Sequence, residues 1–202
     1  MCVHHEGKEH FVYLRMDIHG KKIGTKTVLN ALGVEYLLLQ EQGLIIHASY
    51  INCGGKAILF TAPSGTGKST QAELWKKYRN TDIVNGDRAV IKVNNNSIEA
   101  CGLPYSGSSE YCENVTLPLT TIIYLSQDNN TSIRKMTGLE AFRRVWEQIS
   151  VPSWNKDAVD QISMNVLKII KHIPIYHLCC TPDETAILAV ESVLDELEMN
   201  NS

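Results

Sequence analysis

Lys56-Ala-Ile-Leu-Phe-Thr61, Ala62-Pro-Ser-Gly-Thr-Gly-Lys-Ser69 and Thr70-Gln-Ala-Glu-Leu-Trp-Lys-Lys-Tyr78 follow one another without interruption, and their order decides how the chain reads. An apolar run feeds a loop with two glycines, and the loop opens a helical pattern. Backbone N–H groups in such a loop curl around phosphates, and the helix N-terminus adds partial positive charge. Gly65 and Gly67 allow backbone angles and a close approach that a side chain would forbid. Lys68 is expected to reach the outer phosphates, and the Ser69 hydroxyl to ligate Mg²⁺. Pro63, Ser64, Gly65, Thr66, Gly67, Lys68, Ser69 and Thr70 are therefore the expected binding residues for ATP, with Mg²⁺ as companion ion. Ala62 stands where the G-x-x-x-x-G-K-[ST] pattern has its first glycine, and alanine is the smallest replacement.

Working outward, Leu44 to Ile51 and Lys56 to Thr61 are β-rich runs separated by Asn52-Cys53-Gly54-Gly55, which predicts a hairpin. Upstream, Phe11 to Met16 alternates as a strand, Lys21 to Thr25 reads as a turn, and Val28 to Gln40 reads as one apolar helix ending near Gly43. Downstream, strands are expected at Thr81 to Val84, Ala89 to Val93, Thr120 to Leu125 and Ile175 to Leu178. A polar loop covers Gln127 to Thr131, and helices are expected over Gly138 to Gln148, Lys156 to Lys171 and Asp183 to Glu198. Alternation after Lys56 indicates an α/β architecture with helices flanking a mixed β-sheet. The expected organisation is an N-terminal strand and helix (1–43) belonging to or packed on one nucleotide-binding domain (44–198), with a disordered tail (199–202).

The 202 residues suffice for one well-buried core. A formal net charge of -3 argues against a nucleic-acid surface, which needs an excess of Lys and Arg. The six cysteines form no C-x-x-C pair and suggest neither zinc nor a disulfide framework; Cys179-Cys180 reads as packing. Residues Met1 to Glu6 do not read as a signal peptide, and no segment has the ~18–20 apolar residues of a membrane span. A reduced, cytoplasmic setting with no membrane partner is expected.

Magnesium held by a single hydroxyl is under-ligated, so a carboxylate should arrive from a second strand. Asp87, in Asn85-Gly-Asp-Arg88 after the strand at Thr81 to Val84, is placed to supply it, although Gly86-Asp87 also suits a plain turn. Gly102 to Ser109 is rich in glycine and hydroxyls, suited to line a pocket or simply to turn, with Ser106, Ser108 and Ser109 as its hydroxyls. Arg134, Lys135, Arg143 and Arg144 could offer charge to a phosphate but read first as solvated helix surface. Trp146 and Trp154 read as packing anchors.

Leu44-Ile-Ile-His-Ala-Ser49, Ser64-Gly-Thr-Gly-Lys-Ser-Thr-Gln71, Asn85-Gly-Asp-Arg88 and Gly102-Leu-Pro-Tyr-Ser-Gly-Ser-Ser109 together resemble the catalytic domain of HPr kinase/phosphorylase and its relatives in peptide-maturation gene clusters. That family has a P-loop phosphoenolpyruvate carboxykinase/HPr kinase-like fold. The resemblance spans about Glu35 to Leu197. It implies phosphoryl transfer from ATP, with Mg²⁺, to a serine-type hydroxyl of a peptide, a protein or a small metabolite. His47 matches the histidine preceding the loop, and Asp87-Arg88 matches the second Asp and the Arg of the family's Asp-Asp-Arg stretch. Gly86 departs from the first Asp, so one carboxylate remains where two are usual. Lys68, His47 and Asp87 are then the expected catalytic residues, with Ser69 and Asp87 at the metal. Asp87 serves either as base or as metal ligand, and His47 handles the proton if Asp87 holds the metal. A non-catalytic nucleotide-binding sensor or scaffold is the rival reading. The family's assemblies make a homo-oligomer an expectation.

Overall fold

The computed structural model describes residues 2–6, 9–13, 24–107 and 109–199. In chain order the elements are β1 (Cys2–Glu6), β2 (Glu9–Tyr13), α1 (Thr25–Leu32), α2 (Val34–Gln40), β3 (Gly43–Cys53), β4 (Lys56–Thr61), α3 (Lys68–Arg79), β5 (Asp82–Asn85), β6 (Arg88–Val93), β7 (Ile98–Gly102), β8 (Thr116–Gln127), β9 (Ser132–Met136), α4 (Gly138–Trp146), α5 (Lys156–His172), β10 (Ile175–Cys180) and α6 (Glu184–Met199). Leu14 to Met16 of the expected first strand, Lys21 to Ile23 of the expected turn, Ser108, and the tail beyond Met199 lie outside the described residues.

Two long strands organise the sheet. The first half of β3 (Gly43–His47) pairs antiparallel with β6, and its second half pairs antiparallel with β4 on one side and β5 on the other. β8 begins against β7 and continues in parallel between β4 and β10. The eight-stranded sheet runs β4-β3-β6-β7-β8-β10-β9, with β5 beside β3 and with β4 also pairing β8, so its first five strands close on themselves. Among the described residues only the β4–β8 and β8–β10 pairs are parallel, which makes the sheet mixed and mostly antiparallel. β1 and β2 form a separate antiparallel pair.

The hairpin between β3 and β4 turns at Gly54 and Gly55, with φ of 59° and 82°. Two successive left-handed residues match the right-handed twist of the strands they join, and glycine adopts them freely. Asn52 Oδ1 accepts from Gly55 N at 2.9 Å and closes the turn.

Helices cover both faces. Ala141 and Val145 of α4 and Ile162, Val166 and Ile169 of α5 bury against Ile46, Leu59, Ile91 and Ile122. On the opposite face Ala72 and Trp75 of α3 and Ile187 and Val190 of α6 bury against Ile51, Phe60, Ile123 and Leu178. Each of these larger side chains removed from water contributes about 1.5–3 kcal/mol. Arg79, at the end of α3, donates from Nε and Nη2 to Glu191 of α6 at 2.5 and 2.8 Å and so clasps the two helices. A third cluster of Ile45, Val90, Leu103 and Tyr105 lies under Leu29, Val34 and Leu38.

The single helix expected over Val28 to Gln40 is two, because Gly33 adopts φ 67° and ψ 47°, ending α1 and starting α2. No strand is expected at Ser132–Met136, where Arg134 and Lys135 read as helix surface; pairing with β10 makes this segment β9. Among the described residues no helix is long and apolar enough to cross a membrane.

Candidate functional site

Strand β4 ends buried at Thr61, and the chain turns through Ala62–Gly67 into α3. Gly65 and Gly67 have φ of 81° and 118°, and a Cβ at either would meet nothing within 4 Å. The glycines are thus required by backbone angle rather than by space. Ala62 is fully buried and is not among the described positive-φ residues, so a side chain is tolerated where the motif usually has glycine. Lys68 is only 7% exposed, and its Nζ donates to Ala62 O at 3.0 Å and Pro63 O at 3.3 Å. Burial pulls its ammonium below the ordinary lysine value, opposed by the negative charge of Asp87.

His47 is the one partly exposed residue in the first nine of β3. Its cross-strand neighbour on β6 is Arg88, and Thr61 Oγ1 donates to its carbonyl at 2.8 Å. That pairing brings Asp87, forty residues away in sequence, to 3.2 Å between Oδ1 and His47 Nε2. Arg88 Nε donates to the other oxygen, Oδ2, at 3.3 Å. These contacts, the His47 hydrogen bond foremost, hold the Asp87 carboxyl below the usual carboxylate range despite partial burial. The side chain is therefore an anion at neutral pH.

The Gly86 carbonyl is a junction. Ser49 Oγ donates to it at 2.9 Å and Ser69 Oγ at 3.0 Å, tying β3 and the start of α3 to the turn that carries Asp87. Ser49 lies two residues after His47, on the same side of β3, and the alternation of strand side chains was the signal that could have marked it. A Cβ at Gly86 would lie 2.6 Å from Ser109 Cβ, so the position of the missing first carboxylate is filled from the 102–109 loop. The same loop lays Gly107 on Asp87, where a Cβ would fall 2.7 Å from the carboxyl carbon.

His47, Lys68, Ser69 and Asp87 line one cavity of about 270 Å³ with Ser64 and Gly65. One hydroxyl and one carboxylate fit Mg²⁺, which keeps several waters and takes its remaining ligands from phosphates. Among the described residues no group of three or more His, Cys, Asp or Glu side chains forms a self-sufficient metal site. Beside the loop a cleft of about 710 Å³ opens between Thr66, Thr70 and Gln71 on one side and Gln127, Asp128 and Thr181 on the other. Sequence reasoning did not single out this cleft, because its walls come from three distant segments.

Ser106 Oγ donates to the Ser109 carbonyl and is spent on the turn. Arg134 and Lys135 are on the strand β9 rather than on a helix. Arg134 is committed to Glu140, Arg143 to Glu147, and Arg144 to Glu147 and the Tyr124 hydroxyl. None of them lines the cavity at Lys68. Trp146 stacks on Phe142 against the α4–α5 core, whereas Trp154 is 73% exposed with its ring 5.5 Å from that of Tyr36. Cys180 is buried, with its thiol pushed up to about 11, as packing predicts. Cys179 instead accepts from Ser126 Oγ at 3.2 Å beside His177.

Residues 26–195 match the family model described as SynChlorMet cassette protein ScmC. No curated protein matches the chain. A solved structure similar to it is the Hpr(Ser) kinase/phosphatase from Coxiella burnetii, with a TM-score of 0.45 and 13% identity, covering 77% of this chain and 91% of that one.

Proposed function

We propose that this chain, which belongs to the ScmC family of SynChlorMet cassette proteins, is an ATP- and Mg²⁺-dependent kinase that transfers the γ-phosphoryl group to a serine-type hydroxyl of a peptide, a protein or a small metabolite. The observation that carries this reading is the convergence of Lys68, Ser69, His47 and Asp87 on one cavity at the mouth of a positive-φ glycine loop. Loop amides and the N-terminus of α3 would cradle the phosphates, with Lys68 swinging from the Ala62 and Pro63 carbonyls onto them. Ser69 and Asp87 would hold Mg²⁺. Bound there, the ion would neutralise charge on the transferring group.

The low proton affinity of Asp87 suits a metal ligand better than a base. His47 is then the proton acceptor: Asp87 Oδ1 faces Nε2, fixes the ring and balances its charge, leaving the other ring nitrogen to take the acceptor hydroxyl's proton. The neighbouring cleft has room for the nucleoside. The protein would work in the cytoplasm.

A second reading, a nucleotide-binding sensor or scaffold without chemistry, draws support from Gly86, whose surroundings leave no room for a second carboxylate. Asp87→Asn separates the two. Calorimetry should show Mg²⁺-dependent ATP binding to the wild type. Radiolabelled γ-phosphate should pass to candidate peptide and protein acceptors, or to water, and Asp87→Asn should abolish the transfer while nucleotide still binds. Binding without transfer or release by the wild type overturns the kinase reading in favour of the scaffold.

A further inference from the structure

Asn85 ends β5 directly before the Gly86-Asp87 turn and is fully buried. Its side chain makes four hydrogen bonds. Oδ1 accepts from the backbone N–H groups of Asp87 and Arg88, both at 3.0 Å. Nδ2 donates to the carbonyls of Leu103 and Tyr105, at 3.3 and 3.0 Å. The amide orientation is dictated by its neighbours, since two N–H donors and two carbonyl acceptors admit only one placement of oxygen and nitrogen. One planar group thus spans two segments that share no ladder at this point: the turn that aims Asp87, and the start of the 103–107 segment that lays Gly107 on the Asp87 carboxylate.

We propose that Asn85 is a positioning residue that locks the 103–107 segment to the Asp87 turn, so that the wall above the carboxylate and the carboxylate itself move as one unit. This rests on the kinase reading for its consequence in turnover, but not for the coupling. The geometry assigns the two halves of the amide different duties. The oxygen orients Asp87 and Arg88; the nitrogen holds the wall that an acceptor must approach. The oxygen's duty reaches the phosphate loop through the Gly86 carbonyl, which accepts from Ser69 Oγ, whereas the nitrogen's duty does not.

Two variants separate the halves. Asn85→Asp keeps an acceptor for the Asp87 and Arg88 amides and removes both donors, whereas Asn85→Ala removes everything. By hydrogen exchange on the full chain, Asn85→Asp should expose the amides around 103–107 while those of Asp87 and Arg88 stay protected, and Asn85→Ala should expose both. Phosphate release from Mg²⁺-ATP should fall in Asn85→Ala by about 10²-fold, as expected for a displaced reacting group. ATP affinity should change by less than about twofold in Asn85→Asp, whose acceptor still holds the Asp87 turn. Unchanged protection of 103–107 in Asn85→Asp, or of the Asp87 and Arg88 amides in Asn85→Ala, overturns the proposal, and a uniform loss of thermal stability with neither change reduces Asn85 to packing. If the wild type turns over no ATP, the kinase reading fails while the exchange pattern still decides the coupling.

Discussion

Lys68 folds back onto the carbonyls of Ala62 and Pro63, so its charge is already directed into the loop where phosphates are expected. Removing it should take away hydrogen bonds to a charged ligand, each contributing about 1.5–3 kcal/mol, so Lys68→Ala should weaken Mg²⁺-ATP binding roughly 10- to 150-fold by calorimetry. An unchanged affinity would mean that the loop holds no phosphate. Asp87 makes a prediction of opposite kind, about the protein without ligand. Its carboxyl is held below the ordinary range when folded, chiefly by His47, so the unfolded chain binds the proton more readily. The stability this contributes is full above the ordinary carboxylate range and is lost as pH falls through the folded value. Urea midpoints of the wild type should therefore fall more steeply than those of Asp87→Asn between roughly pH 5 and pH 2, and parallel curves would show that the His47 contact adds nothing. What sequence alone made legible here follows sequence distance. Lys68 and Ser69 sit within one local motif whose chemistry needs only its own residues. Asp87 was placed by the strand that precedes it and His47 by a family resemblance, and the duties of Asn85 and Gly107 were hidden because their partners come from segments brought together by the sheet.

Gly33 shows where element boundaries escape a reading of periodicity. Apolar spacing continues from Val28 to Gln40 without a gap, so nothing in the pattern marks a break; only the left-handed backbone at Gly33 does. A Cβ there would meet nothing within 4 Å, so the effect of Gly33→Ala isolates backbone strain from packing. An L-residue in the left-handed region costs about 1–2 kcal/mol, and the urea midpoint should drop by the equivalent amount with no change in slope. An unchanged midpoint would mean that α1 and α2 can fuse into the one helix that the periodicity describes. β9 escaped for a different reason. Ser132–Met136 carries charge at Arg134 and Lys135 and looks like surface, and its strand character is conferred by β10 alone, which it borders as the last strand of the sheet. By contrast the hairpin between β3 and β4 was legible, since Gly54 and Gly55 state their own turn.

At the scale of the whole molecule the sheet separates two large apolar layers, and β3, β4, β8 and β10 each contribute to both. Ile122 and Ile123, adjacent on β8 and both fully buried, make the point: the first packs in the layer under α4 and α5, the second in the layer under α3 and α6. We propose that residues 44–198 therefore fold as a single unit, because neither layer can lose its order without exposing the sheet that the other needs. Truncation of either isoleucine to alanine should cost about 2–5 kcal/mol, from lost transfer energy and the cavity left behind. Trp75 lies in one layer and Trp146 against the other, which gives each an indicator of its own. With Trp146 and Trp154 both replaced by phenylalanine, emission from Trp75 reports the α3–α6 side, and with Trp75 and Trp154 replaced, emission from Trp146 reports the α4–α5 side. Ile122→Ala should shift both indicators, and the far-ultraviolet dichroism, by the same amount; so should Ile123→Ala. If each substitution moved only the indicator on its own side, the layers would unfold independently. His47 and Asp87 would then be held by β3 and β6 without help from the helix that carries Lys68, and the site would have to be described as assembled from two units rather than built on one.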